Sequence, residues 1–334
     1  MFPLRKNYTV SPNDISSLIQ THYANLMQAF YESQSFFLSG IYKRYKSIES
    51  GNIVLCFARK THLEIIRQRE KNLNFNVSLE NFWQNFNEID KPLDKVTSVV
   101  KITGIPKETV RRKIKNLMDE GFLVKDRKNK GYYWQLLPGA RDSFFQIVNQ
   151  ETKNLSIFIT KIVNSLNIKL DRKIIEEEIC SQFSFYWYHY LSCQLDWLRF
   201  WQIKLKDNDL LLIALQSIIP TLQYIDKNVT NINSENVFKI IGQVDKNKCI
   251  NCSISATSVS EVTGIPRATC IRKLDKLVFL GFLSRENKTK RYSVNQSADG
   301  RTKNILSKEN VGFTIKNFSD YITIILNSLI QNRK

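Results

Sequence analysis

The sequence predicts a mainly α-helical protein with two small β-hairpins, built as two tandem copies of one unit. Three observations carry this. The stretch TGIPKETVRRKIKNLMDEGFL at 103–123 returns as TGIPRATCIRKLDKLVFLGFL at 263–283. Apolar residues upstream recur at steps of three, four and seven, the period of an amphipathic helix. Directly after each stretch, two short apolar runs flank a polar and basic tip, the pattern of a hairpin.

The repeat is wider than these stretches. Residues 97–123 and 257–283 share 14 identities in 27 positions without a gap, among them Thr103, Gly104, Ile105, Pro106, Thr109, Arg112, Lys113, Leu117, Gly121 and Phe122. Downstream, FITKIVNSL at 158–166 answers YITIILNSL at 321–329, and upstream Phe30, Phe37 and Leu38 precede Tyr190, Trp197 and Leu198 by 160 residues. The chain reads as a duplicated unit with a seam near 168–176, giving domains 1–172 and 173–334. A length of 334 residues suits two cores better than one.

Each unit resolves into elements in the same order. Ile19, Tyr23, Phe30, Phe37, Ile41, Tyr45 and Ile48 mark one long amphipathic helix, with FSFYWYHYLSCQLDWLRFW as its counterpart. The latter is too short before Asp196 and Arg199 for a membrane span and reads as a core helix. Second helices follow at 53–66 and 209–219, then helices near 79–89 and 234–242. Thr97 to Thr103 forms a short helix, Gly104 allows a tight turn, and Pro106 suits the first turn of the next helix, where a missing N–H costs nothing. In that helix Val110, Ile114, Leu117 and Met118 are the buried face, while Lys107, Glu108, Arg111, Arg112 and Lys115 lie opposite. Gly121 ends it. FLVKDRKNKGYYWQL and FLSRENKTKRYSV then each give strand, basic tip and strand. Closing helices are expected at 143–167 and 313–331.

A net charge of +18 asks for a polyanionic partner. Its placement narrows the choice, because residues 97–134 hold 10 Lys and Arg against 4 Asp and Glu, and residues 257–294 hold 8 against 3. A helix-turn-helix with a basic hairpin, or wing, at about 97–136 and again at about 257–295 is suited to double-stranded DNA. The second helix enters a major groove, where Arg pairs with guanine and Lys or Thr serves bases or phosphates. The candidate contacts are Lys107, Thr109, Arg111, Arg112 and Lys115 in the first copy, and Arg267, Thr269, Arg272 and Lys276 in the second. The wings offer Arg127, Lys128 and Lys130, and Arg285, Lys288, Lys290 and Arg291, for phosphates or a minor groove. Between the copies Lys107 becomes Arg267, Arg111 becomes Ile271 and Lys115 becomes Asp275, so two unlike half-sites are expected, centred about one helical turn apart.

The order of helices, with GIPKETVRRKIKNLMDEGFL and GIPRATCIRKLDKLVFLGFL as recognition-helix signatures, resembles the MarR-type winged helix-turn-helix transcriptional regulators. That resemblance implies a homodimer joined by first and last helices, with small molecules sensed near the DNA-binding lobe. Two units fused in one chain then imply a monomer acting as a pseudo-dimer. The aromatic residues Tyr186, Tyr190, Trp197 and Trp201 either line an apolar pocket for a small-molecule effector or are core between packed helices. A replication initiator of plasmid or phage type, and a winged-helix protein-interaction module, are the alternative readings.

Catalysis is not expected: there is no Gly-rich phosphate loop, no readable pair of catalytic carboxylates and no nucleophile with a His partner. No cofactor or metal is expected either. The opening MFPLRKNYTVSPND runs into an amphipathic stretch rather than an apolar core with a cleavage site, from which a cytoplasmic protein without a membrane partner is expected. Its six cysteines are accordingly expected to be thiols, Cys249 and Cys252 of the one C-x-x-C included.

Overall fold

The computed structural model describes residues 9–137, 139, 141–229, 252–295 and 308–331. Among these, thirteen helices and two antiparallel two-stranded hairpins make a mainly helical protein with small β elements. The helices before the first hairpin are α1 (Pro12–Thr21), α2 (Tyr23–Tyr45), α3 (Ile48–Lys71), α4 (Phe82–Glu88), α5 (Val96–Thr103) and α6 (Lys107–Asp119). Strands β1 (Leu123–Lys125) and β2 (Tyr132–Trp134) lead to α7 (Arg141–Ser165), α8 (Arg172–Ser181), α9 (Phe183–Leu205) and α10 (Asn208–Asn228). Then come α11 (Ala256–Thr263), α12 (Arg267–Phe279), β3 (Leu283–Arg285), β4 (Tyr292–Val294) and α13 (Lys308–Gln331). The helix expected near 234–242 lies outside the described residues. No helix among the described residues is long and apolar enough to cross a membrane.

The single long helix expected from Ile19 to Ile48 is divided between α1 and α2, and Ile48 begins α3. His22 leaves the helical region (φ −109°, ψ 39°) between α1 and α2, and Lys46 turns left-handed (φ 56°) after α2. Side-chain caps start α1 and α3, whereas His22 makes no side-chain cap for α2. Ser11 and Asp14 close a capping box on α1, with Asp14 N–H donating to Ser11 Oγ at 3.2 Å and Ser11 N–H to Asp14 Oδ2 at 2.9 Å. Ser47 caps α3 by accepting from Ser50 N–H at 3.3 Å, so the chain restarts a helix immediately after Lys46.

The compact units do not follow the seam of the repeat. One, the α12 unit, gathers α1, α2, α10, α11, α12, β3, β4 and α13 to Thr323. The other, the α6 unit, gathers α3 to α6, β1, β2, α7 to Thr160, α8, α9 and the end of α13. Segments of 1–172 and of 173–334 are therefore interleaved in each. The physical cause is a reciprocal choice of partner helix: α2 packs along α10, and α9 packs along α3. In the α12 unit Phe30 of α2 is also buried against Phe318 of α13, with ring centroids 3.8 Å apart. In the α6 unit His62 is buried, stacked on Phe82 at 4.8 Å and edge-on to Phe183 at 5.3 Å.

Cys56, Cys180, Cys193 and Cys270 are thiols. Cys252 departs from expectation: it is disulfide-bonded, and Cys249, its neighbour in the C-x-x-C, lies outside the described residues.

Candidate nucleic-acid interface

In each unit a short helix, a tight turn, a second helix and a hairpin follow one another. The turn glycines are left-handed, Gly104 at φ 70° and Gly264 at φ 75°. Gly264 also meets its neighbour closely, since a Cβ there would fall 2.9 Å from Lys43 Cγ on α2. Pro106 stands one step earlier than expected. Its extended ψ of 141° makes it the N-cap of α6, not a residue of the first turn. Val110, Ile114 and Leu117 are buried, as is Ile105 of the turn, and Met118 is half-buried. Asp94 and Ile254 each bridge to the second hairpin strand, at Tyr132 and Tyr292, and so anchor the hairpin to the strand-like segment before α5 or α11.

The outer face of α6 places Lys107, Arg111, Arg112 and Lys115 in solvent, and the first hairpin tip exposes Arg127, Lys128 and Lys130. Arg111 pairs with Glu108 at 2.7 Å on the open surface. The other six have no side-chain partner among the described residues. Thr109 and Thr269 are half-buried.

The second face is arranged differently. Arg272, Lys276, Lys288 and Lys290 are exposed, with no side-chain partner among the described residues. Arg267 Nε instead donates to Thr257 Oγ1 at 3.1 Å. Arg285 Nη1 pairs with Asp275 Oδ1 at 3.2 Å, and its guanidinium lies 5.3 Å from the Tyr292 ring centroid. Arg291 is half-buried, its Nε donating to Ser253 Oγ at 2.8 Å and its Nη2 to the Ser253 carbonyl. Tyr292 Oη donates to Asp275 at 2.9 Å; burial first, and then this bond and the nearby carboxylate charge, raise the phenol above its ordinary pKa. Three of the arginines expected to meet DNA are thus held by the protein itself.

Sequence reasoning passed over one further pair of side chains. Lys113 and Lys273 point inward, only 15% and 11% exposed, toward the N-termini of α3 and α10. Burial by itself lowers the Lys273 ammonium, but Asp209 and Asp207 outweigh it and raise its pKa, so it is charged at neutral pH. The signal was present: both lysines belong to the shared identities, three residues after the buried Val110 or Cys270 and four before Leu117 or Leu277. A lysine kept on the inner stripe of a helix requires a scaffold partner.

Of the four aromatic residues expected as pocket or core, Tyr186, Tyr190 and Trp197 are buried and Trp201 is half-buried. Tyr186 Oη donates to Ser328 Oγ at 3.0 Å, and Tyr190 Oη to Glu151 Oε1 at 2.5 Å. No family model matches the chain, and comparisons with curated proteins and with solved structures find no match.

Proposed function

We propose that the chain is a sequence-specific double-stranded DNA-binding transcriptional regulator of the winged helix-turn-helix kind. It reads two unlike half-sites with α6 and α12 as recognition helices and the two hairpins as wings. The observation that carries this is the exposed face of α6, where Lys107, Arg112 and Lys115 stand unpartnered among the described residues, followed by a hairpin tip with three more unpartnered cations. Unneutralised cations on a helix of groove-compatible width favour a polyanion with a readable groove over a protein surface. The α12 face supports the same reading with different chemistry, because Ala268, Ile271 and Asp275 replace Glu108, Arg111 and Lys115.

In this reading the chain needs no second copy to present two recognition helices. It acts as a monomer with the valence of a dimer. Unlike recognition faces in one chain also release it from the palindrome that a symmetric dimer prefers. Selection of bound sequences from random duplex DNA tests the proposal. Enrichment of a nonpalindromic site is the expected result; no enrichment of any duplex at moderate salt would falsify it, and convergence on a perfect palindrome removes the claim of unlike half-sites.

A further inference from the structure

Both recognition helices are tied back to the scaffold in the same way, by one lysine to one helix N-terminus. Lys113 Nζ donates to Ser47 Oγ at 2.8 Å and to Ser50 Oγ at 3.3 Å, and lies 3.4 Å from Glu49 Oε2. Lys273 Nζ donates to Asp207 at 2.7 and 2.9 Å and lies 3.2 Å from Asp209 Oδ2. Ser47 is the N-cap of α3 and Asp207 the N-cap of α10. Lysine, cap residue and acid occupy matching positions of the repeat, although the caps differ in identity. Even the surroundings correspond: Gln202 Nε2 donates to Glu49 in the α6 unit, and Tyr42, at the matching repeat position, feels the charges of Asp209 and Lys273 in the α12 unit.

We infer that Lys113 and Lys273 are positioning residues that set the angle and depth of each recognition helix against its long scaffold helix, and through that the base preference of one half-site each. The inference rests on the DNA-binding reading given above. Each recognition helix has 13 residues and buries only three side chains in its inner stripe, Val110, Ile114 and Leu117 or Cys270, Leu274 and Leu277, and apolar packing of this kind is not directional. A charged, directional bond from its inner edge to a fixed cap fixes rotation about the helix axis, and rotation moves Arg112 or Arg272 relative to a base edge. The two latches are also unequal. Lys273 meets two carboxylates, whereas Lys113 meets two hydroxyls and one carboxylate, so α12 is held more firmly than α6.

The test compares full-length Lys113→Met and Lys273→Met with the parent on the duplex that the parent selects, recording affinity, base preference at each half and the thermal midpoint. Each variant is expected to lose about tenfold in affinity, with preference flattened at one half only and a different half for each. Lys→Arg at either position restores most of the loss. Asp207→Asn checks the second latch from its other end, since asparagine still caps α10 but carries no charge. Unchanged affinity and preference in both methionine variants overturn the inference, and so does a loss spread evenly over both halves, the mark of general destabilisation. A parent chain that selects no duplex removes the DNA-binding reading itself, and this inference with it.

Discussion

Arg285 on β3 and Asp275 on α12 form an ion pair at 3.2 Å, and Tyr292 donates to the same carboxylate oxygen. Both partners are partly exposed, 38% and 45%, so the pair itself adds little stability. On the proposed DNA-binding reading its effect is on binding, because a guanidinium already facing a carboxylate is a poorer partner for phosphate. Asp275→Ala is therefore expected to tighten binding to random-sequence duplex. The slope of log affinity against log salt should steepen by about 0.9, the value for one added phosphate contact. A salt titration that gives the parental slope would show that Arg285 contacts no phosphate even when released.

Arg112 and Arg272 occupy matching positions and are exposed on their helices. Replacement of either by alanine should weaken specific binding by about 1–3 kcal/mol and relax preference at one base position, with little change on random duplex. Equal loss on specific and random duplex would assign these arginines to phosphates instead.

His62 is buried, stacked on Phe82, with its Nδ1 3.3 Å from Ser184 Oγ, and burial lowers its pKa to about 3. The unfolded chain takes up this proton near pH 6.5 and the folded chain does not, so stability is lost as pH falls below about 6.5. His62→Phe removes that dependence. The stability of the parent relative to the variant should fall by about 2 kcal/mol between pH 7 and pH 5, measured by urea unfolding at each pH. A constant difference would place a charged imidazole in the folded state.

Interleaving of the repeats governs what a cut chain can do. Residues 1–172 contain α2 without α10, and α3 without α9. At low concentration neither 1–172 nor 173–334 should show a cooperative thermal transition, while an equimolar mixture should recover one. A monomeric 1–172 that melts cooperatively would contradict the pairing of α2 with α10.

What the sequence made legible was local. The α6 stripe of Val110, Ile114 and Leu117, the turn at Gly104 and the hairpin after Gly121 follow from period and residue type alone, and the structure has them. Partner choice was not legible, because the two repeats present near-equivalent apolar stripes; Phe30 and Tyr190 hold matching positions and each suits either long helix. The break at His22 was hidden for a related reason, since the stripe from Ile19 to Tyr23 continues across it. In the candidate interface, exposure of Lys107, Arg112 and Lys115 was legible from the helical period. The engagement of Arg285 and Arg291 was not, because Asp275 lies ten residues before Arg285 and Ser253 thirty-eight before Arg291, brought near only by the hairpin.

The pairing of α2 with α10 also orders events during synthesis. Helix α2 emerges with Met27, Phe30 and Leu38 needing cover, yet α10 follows about 160 residues later, on the order of 8–30 s at about 5–20 residues per second. Throughout that interval the nascent chain carries an apolar helix whose native mate does not yet exist. Neither unit can be completed until the later repeat has been made, so α2 waits for α10 before it finds its place. A chain of this topology leaves apolar surface uncovered for longer than a tandem of two self-contained copies would.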